Sequence, residues 1–282
     1  MGFSSGRSRR LRTFSSLAPT FSMFSKLITD RRGPIGYLVL NTPERRNAIS
    51  LDMWQAIPAM IHSLDSDPDL RCIVLTGAGT EAFAAGADIS EFDANRASEE
   101  TARIYDGATR DAMTAVMEAS KPVVAAIRGI CFGGGVALAM ACDLRLASAD
   151  ARLCIPAARL GVAYGVGGTS SLVDRIGAAM AAEMLLTARV YTAHEALMRG
   201  LVHQVAPVSD FDTVLSGYTG AIAANAPLSM TASKRAIRAA ATGDENMEHA
   251  AEAAAAACAS SQDYAEGRNA FAAKRKPQFK GN

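Results

Sequence analysis

Residues Lys121 to Ala137 read Lys-Pro-Val-Val-Ala-Ala-Ile-Arg-Gly-Ile-Cys-Phe-Gly-Gly-Gly-Val-Ala: an apolar strand that runs into three successive glycines and then into the helix-like stretch from Val136 to Cys142. A helix that starts at a glycine turn presents N–H groups without intrahelical acceptors and the positive end of its dipole. Such a corner suits an anion, or an oxygen on which negative charge develops. The second residue after the glycines is Ala137, which is inert where an acid or base could act.

The rest of the chain fits the same strand-to-helix grammar. Apolar runs at Gly36–Leu40, Arg71–Gly77, Val123–Ile127 and Leu144–Ala147 predict strands. Between them, Asp52–Leu64 and Glu99–Ser120 predict helices. In the first of these Met53, Ile57, Met60, Ile61 and Leu64 share one side, Ser50 stands as N-cap, and Pro58 argues against continuity. Strands alternating with helices predict an α/β fold with parallel strands. From Ala226 the composition changes to alanine-rich helices, Ser229–Ala241 and Glu245–Ser260, followed by a basic tail from Lys274 to Lys280. The tail reads as a solvated end, with an oligomer contact or a phosphate contact as alternatives. The expected division is an extension over 1–25, a core over 26–225 and a C-terminal helical region over 226–282.

With 49% hydrophobic and 20% charged residues in 282, a sizeable core is expected. A net charge of +1 makes no case for nucleic acid, and no apolar run is long enough to span a membrane. The five cysteines have no CxxC spacing and read as reduced core residues of a reducing compartment. The four histidines show neither metal-ligand spacing nor a nucleophile partner, so no metal is expected. Met1 to Thr29 is rich in Ser, Arg and Phe and holds no acid, the composition of a transit peptide; a disordered extension, or a start at Met23, reads equally from it. The expected location is cytoplasmic, or the mitochondrial matrix if the extension is a transit peptide.

Two glycine-containing corners, Ala82–Glu91 and Cys131–Gly135, carry the chemistry. Neither is a Walker loop, since no Gly-Lys-Ser/Thr follows, and neither has GxGxxG spacing. Asp88 reads as the cap of a helix starting there, Glu91 is a further ionisable candidate, and Asp143 is expected to pair with an arginine. Arg45 and Arg46 stay open between ligand contacts and surface charges.

Together with Leu40–Ala48, the two corners resemble the enoyl-CoA hydratase/isomerase, or crotonase, family. Ala141–Arg145, Leu160–Val162, Gly167–Thr169, Thr192–Ala196, Gly200–Val202 and Phe271–Lys276 extend the likeness over about residues 30 to 280. The resemblance implies a spiral of ββα units with a C-terminal helical region that builds a homotrimer, or a dimer of trimers. The implied ligand is an acyl-CoA thioester, with coenzyme A part of the substrate and no separate cofactor. The backbone N–H groups of Ala87 and Gly134 would grip the thioester oxygen. Coenzyme A would lie near Arg45, Ala48, Asp88 and Ile89, with Lys274 and Lys280 as further phosphate candidates.

The likeness fails where the family's hydratases place two glutamates. Those positions are Ala137 and, after Pro156, Ala157. A positioned acid or base contributes typically about 10²–10⁴-fold, so ordinary hydration is not expected. Tyr164 is the remaining candidate for moving a proton, and its place resembles the methylmalonyl-CoA decarboxylase branch; a tyrosine packed over the acyl pocket is the alternative. Decarboxylase, isomerase or thioesterase-like chemistry stays open, as does a non-catalytic acyl-CoA-binding protein.

Overall fold

The computed structural model describes residues 26–91 and 97–282; the extension over 1–25 lies outside the described residues. The chain opens with β1 (Leu27–Arg32), β2 (Ile35–Leu40), α1 (Leu51–Ser66), β3 (Cys72–Gly77), β4 (Ala82–Ala84) and α2 (Glu99–Glu118). It continues through β5 (Val123–Ile127), β6 (Ile130–Phe132), α3 (Gly134–Ala141), β7 (Leu144–Ser148), β8 (Arg152–Cys154) and α4 (Val166–Thr187). The last elements are β9 (Tyr191–Thr192), α5 (Ala193–Met198), β10 (Gln204–Ala206), α6 (Phe211–Ala223), α7 (Pro227–Thr242), α8 (Glu245–Ala259) and α9 (Gln262–Ala272).

The strands form two sheets. The larger has the order β1-β2-β3-β5-β7-β10 and is parallel except for the β1–β2 edge hairpin. The smaller, β4-β6-β8-β9, is parallel except at β9. The mixed α/β fold expected from the sequence is therefore present. Strands β3 and β5 read as unbroken apolar runs because both faces of the large sheet are covered: Cys72 to Leu75 and all of Val123–Ile127 are buried. Strands β4, β6 and β8, three residues each, carry too little pattern to be recognised from sequence, and they are the ones that carry the site.

Helix α1 buries Met53, Ile57, Met60, Ile61 and Leu64, the predicted side. Pro58 sits inside it without ending it, at the cost of the amide that would have met the Trp54 carbonyl. Ser50 is the N-cap residue, but its hydroxyl makes no cap bond; it bonds the Asp52 carboxylate instead. The Glu91 carboxylate accepts the Leu51 N–H at 2.9 Å, so this acid is engaged at the start of α1. Helix α2 begins at a Ser98–Thr101 capping box. Helix α3 is apolar all round and is buried from Gly135 to Ala141, as a helix in the middle of a core must be.

Two expectations need correction. Asp143 pairs not with an arginine but with Lys234 of α7, at 2.8 Å, and also accepts the Val123 N–H at 2.7 Å, so it ties α7 to the start of β5. The basic tail is not simply a solvated end. Arg275 forks onto Glu266 at 2.6 and 2.7 Å, and the buried Asp263 carboxylate accepts the Lys280 and Gly281 amides at 2.7 and 2.8 Å. Those bonds lay the tail back along α9, a helix the sequence reading did not anticipate. Four cysteines are buried and Cys258 is half-buried. No helix among the described residues is long and apolar enough to cross a membrane.

Candidate active site

The two glycine corners meet at the ends of adjacent strands, β4 and β6. Gly86 and Gly133 both have positive φ, 108° and 50°, which lets the chain leave each strand sharply. Their backbones then run side by side. A Cβ placed on Gly86 would lie 3.6 Å from the Gly134 nitrogen, and one placed on Gly134 would lie 3.6 Å from the Ala87 nitrogen. Flanking amides are engaged: Asp88 N–H donates to the Ile49 carbonyl at 3.0 Å, and Gly133 N–H to the Cys154 carbonyl at 2.8 Å. The N–H groups of Ala87 and Gly134 donate to no described group. Both residues line a cavity of ≈ 370 Å³, and Gly134 opens the first turn of α3. Two such donors at one wall, one of them at a helix start, are chemically suited to an oxygen carrying negative charge.

Asn47 sets the third segment against this wall. Buried and at positive φ, it donates to the Ala78 and Ala82 carbonyls at 3.0 and 2.7 Å, and its Oδ1 accepts the Thr42 N–H at 3.1 Å. Arg45 then reaches Asp88 at 2.6 Å and Ser90 at 3.1 Å. Burial pushes the Asp88 carboxyl up, but hydrogen bonds from Ser90 and Arg45 outweigh it and hold the group below its usual range. The same bond to Asp88 holds the Arg45 guanidinium more firmly protonated. Asp88 also accepts the Ser90 N–H at 3.0 Å, so the capping role expected of it is present, at the single-turn helix Ile89–Glu91.

Of the residues singled out in the sequence, Ala87, Ile89, Gly134, Ala137, Ala157 and Tyr164 line the cavity. Arg45, Ala48 and Asp88 lie beside it, in the Arg45–Asp88 latch and the turn before it, and do not line it. Ala137 is 7% exposed and brings only a methyl group to the wall. Tyr164 packs its ring over Gly168, where a Cβ would come within 2.7 Å of it. Its hydroxyl is buried and meets no hydrogen-bond partner among the described residues. Burial, with a smaller push from the Cys131 thiol, raises its pKa well above the ordinary 10.0. The group is a neutral donor, not a phenolate base.

Sequence reasoning missed Trp54 of α1; it expected pocket shape to depend on residues from Glu99 to Val116, and the α2 face Tyr105, Asp106, Thr109, Arg110 and Met113 of that stretch lies in the cavity wall. The four-residue spacing of 105, 109 and 113 was a visible signal for one helix face; nothing in the sequence said how that face packs. His203 accepts the Arg145 N–H at 3.0 Å, and none of the four histidines lines the cavity. Among the described residues no three His, Cys, Asp or Glu gather as a metal site would require.

Comparison with known proteins gives the family. The sequence profile of the Enoyl-CoA hydratase/isomerase family matches residues 30–282. The chain is 33% identical to a short-chain-enoyl-CoA hydratase of Clostridium acetobutylicum over 253 residues, 89% of this chain and 96% of that protein. It is 35% identical to a peroxisomal Delta(3,5)-Delta(2,4)-dienoyl-CoA isomerase of Arabidopsis thaliana over 213 residues, 71% of this chain and 76% of that one. Among solved structures, an enoyl-CoA hydratase/isomerase family protein from Hyphomonas neptunium superposes with a TM-score of 0.86 at 38% identity, covering 90% of this chain and 97% of the other. The chain thus belongs to the enoyl-CoA hydratase/isomerase (crotonase) family.

Proposed function

We propose that this protein binds an acyl-CoA thioester with its carbonyl oxygen between the Ala87 and Gly134 amides, and turns it over through an enolate or oxyanion without a glutamate pair. The observation that carries this reading is an asymmetry in one cavity. Two amides without a described acceptor belong to residues of its wall, while Ala137 and Ala157 bring no carboxylate there. Preorganised donors lower the barrier to any reaction that builds charge on the thioester oxygen; a hydration also needs a group to activate water. Near-equal identity to a hydratase and to an isomerase leaves the reaction to be argued from the site.

A second reading rests on Tyr164. A buried, neutral hydroxyl with no partner among the described residues, at the cavity wall, suits donation to a substrate oxygen or to a carbanion. Loss of CO₂ from an α-carboxyacyl thioester leaves its electron pair as the enolate and needs no base, so the amide pair and one proton donor suffice. This is decarboxylase-like chemistry of the methylmalonyl-CoA type. The remaining alternative is an acyl-CoA-binding protein without turnover.

Coenzyme A would pass the Arg45–Asp88 latch, with Ala48 and Ile89 beside it, and arrives as part of the substrate. Exposed Ile89, Leu160 and Val166 at the cavity and Leu186 and Met198 elsewhere suit burial in a homotrimer or a dimer of trimers. A matrix location follows if residues 1–25 act as a transit peptide, and a cytoplasmic one otherwise.

The test is a panel of crotonyl-, methylmalonyl- and aromatic acyl-CoA esters, with Tyr164→Phe beside the unaltered protein. Turnover of one ester, lost in Tyr164→Phe, supports the tyrosine-assisted route. Retained CoA-ester binding with no turnover of any ester leaves only the binding role.

A further inference from the structure

We infer that Trp54 and Tyr105 are positioning residues for the amide pair, a role that rests on the oxyanion reading above. Trp54, the only tryptophan of the chain, is 1% exposed yet lines the cavity. Its ring fills the space beside Gly134: a Cβ there would meet Trp54 Cζ2 at 3.0 Å and Cη2 at 3.6 Å. The ring is fixed from its other end, where its Nε1–H donates to the buried Tyr105 hydroxyl at 3.1 Å. Tyr105 stands on α2, so one hydrogen bond and one ring contact together join three elements: α1 through Trp54, the cavity face of α2 through Tyr105, and the start of α3 through Gly134.

The device has a physical purpose. Gly134 has no side chain to hold its own peptide plane, and its φ and ψ are less restricted than those of other residues. Its N–H needs a fixed direction before charge develops on the substrate, since reorganisation during the reaction would lower the benefit. A rigid indole packed on the Cα supplies that restraint from outside. The Tyr105 bond keeps the indole from turning away. Tyr105 lies on the same helix face as Thr109 and Met113, so occupation of the pocket by an acyl group bears on the helix that anchors the ring.

The experiment uses acetoacetyl-CoA, whose enolate absorbs in the near ultraviolet, and butyryl-CoA, which forms none under the same conditions. In the unaltered protein, acetoacetyl-CoA should quench Trp54 emission, with bound ligand showing an enhanced enolate band. Tyr105→Phe removes the hydrogen bond to Trp54 and should lower the enolate fraction of bound ligand about five-fold, with butyryl-CoA affinity changed less than about two-fold. Trp54→Phe should lower it in the same direction. Gly134→Ala should be less harmful in the Trp54→Phe background than alone, because the smaller ring leaves room for the methyl group. Tyr105→Phe and Trp54→Phe proteins that keep the full enolate fraction, even with lower melting temperatures, would confine the pair to packing and overturn the proposal. Unaltered protein that binds acetoacetyl-CoA without any enolate band would overturn the oxyanion reading itself, and the positioning role with it.

Discussion

The two sides of the cavity are built from different material. The wall at Ala87 and Gly134 is backbone, presented by two strand ends and a helix start; the wall at Ala137, Ala157 and Tyr164 is side chain. The backbone wall depends on close approach, so it tolerates almost no added bulk. The side-chain wall accepts substitution, because a residue there can change without moving the chain behind it. A family can therefore keep the grip on a thioester oxygen while exchanging the groups that do the rest. In this chain both amides stand at the cavity wall, and positions 137 and 157 are alanines.

Several substitutions would break or sharpen that contrast, and the largest effect belongs to the backbone wall. Gly134→Val should displace the amide from its line to the oxygen and lower turnover of any ester the protein processes by about 10²–10³-fold, read as kcat. An unchanged kcat would remove this amide from the chemistry. Gly135→Ala acts on the fold first. Its Cβ would meet the Ala84 carbonyl oxygen at 2.7 Å, backbone that cannot swing aside, so urea unfolding should show a loss of about 3 kcal/mol.

On the side-chain wall the expected sign reverses. Ala137→Glu combined with Ala157→Glu should add hydration of crotonyl-CoA by at least about 10²-fold over the unaltered protein, at some expense of stability from the half-enclosed charges. Tyr164→Phe removes a buried hydroxyl with no partner among the described residues, so it should leave the folded state unharmed or stabilise it by about 1 kcal/mol, whatever it does to turnover. A clear destabilisation would mean that the hydroxyl is satisfied in the free protein.

The smallest effect is a pH slope away from the site. Burial, with the Asp143 charge adding to it, pushes the Cys72 and Cys142 thiols from 9.0 up to about 12. Between these values the unfolded chain releases protons that the folded chain retains. The stability these thiols contribute is complete below pH 9 and is lost as pH rises from 9 towards 12. Cys72→Ala should flatten part of the alkaline fall in melting temperature; an identical slope would assign it to other groups.

How much of this was legible depends on scale. Long periodic elements were: α1 reads from Met53, Ile57, Met60, Ile61 and Leu64, and β5 from its apolar run. Neither glycine corner was legible alone, since a glycine turn before a helix is common; the two gained meaning only together with Leu40–Ala48. The three-residue strands β4, β6 and β8 were not legible, since three residues hold no periodicity. Nor was the Trp54–Tyr105 bond, which joins positions 51 residues apart that share no pattern. Arg45 could be read as either a surface charge or a ligand contact; only the fold brings Asp88 to 2.6 Å from it. Pro58 argued against a helix that tertiary packing nevertheless completes.

The most direct measurement is the hydration of crotonyl-CoA by the unaltered protein, made at concentrations where butyryl-CoA raises its melting temperature and binding is therefore assured. The account predicts protection by the ester without saturable hydration, because positions 137 and 157 bring no carboxylate to complete what the amide pair binds. Saturable hydration at a rate comparable with a glutamate-bearing hydratase would contradict it, and would mean that another group does the work assigned to the residues absent at positions 137 and 157.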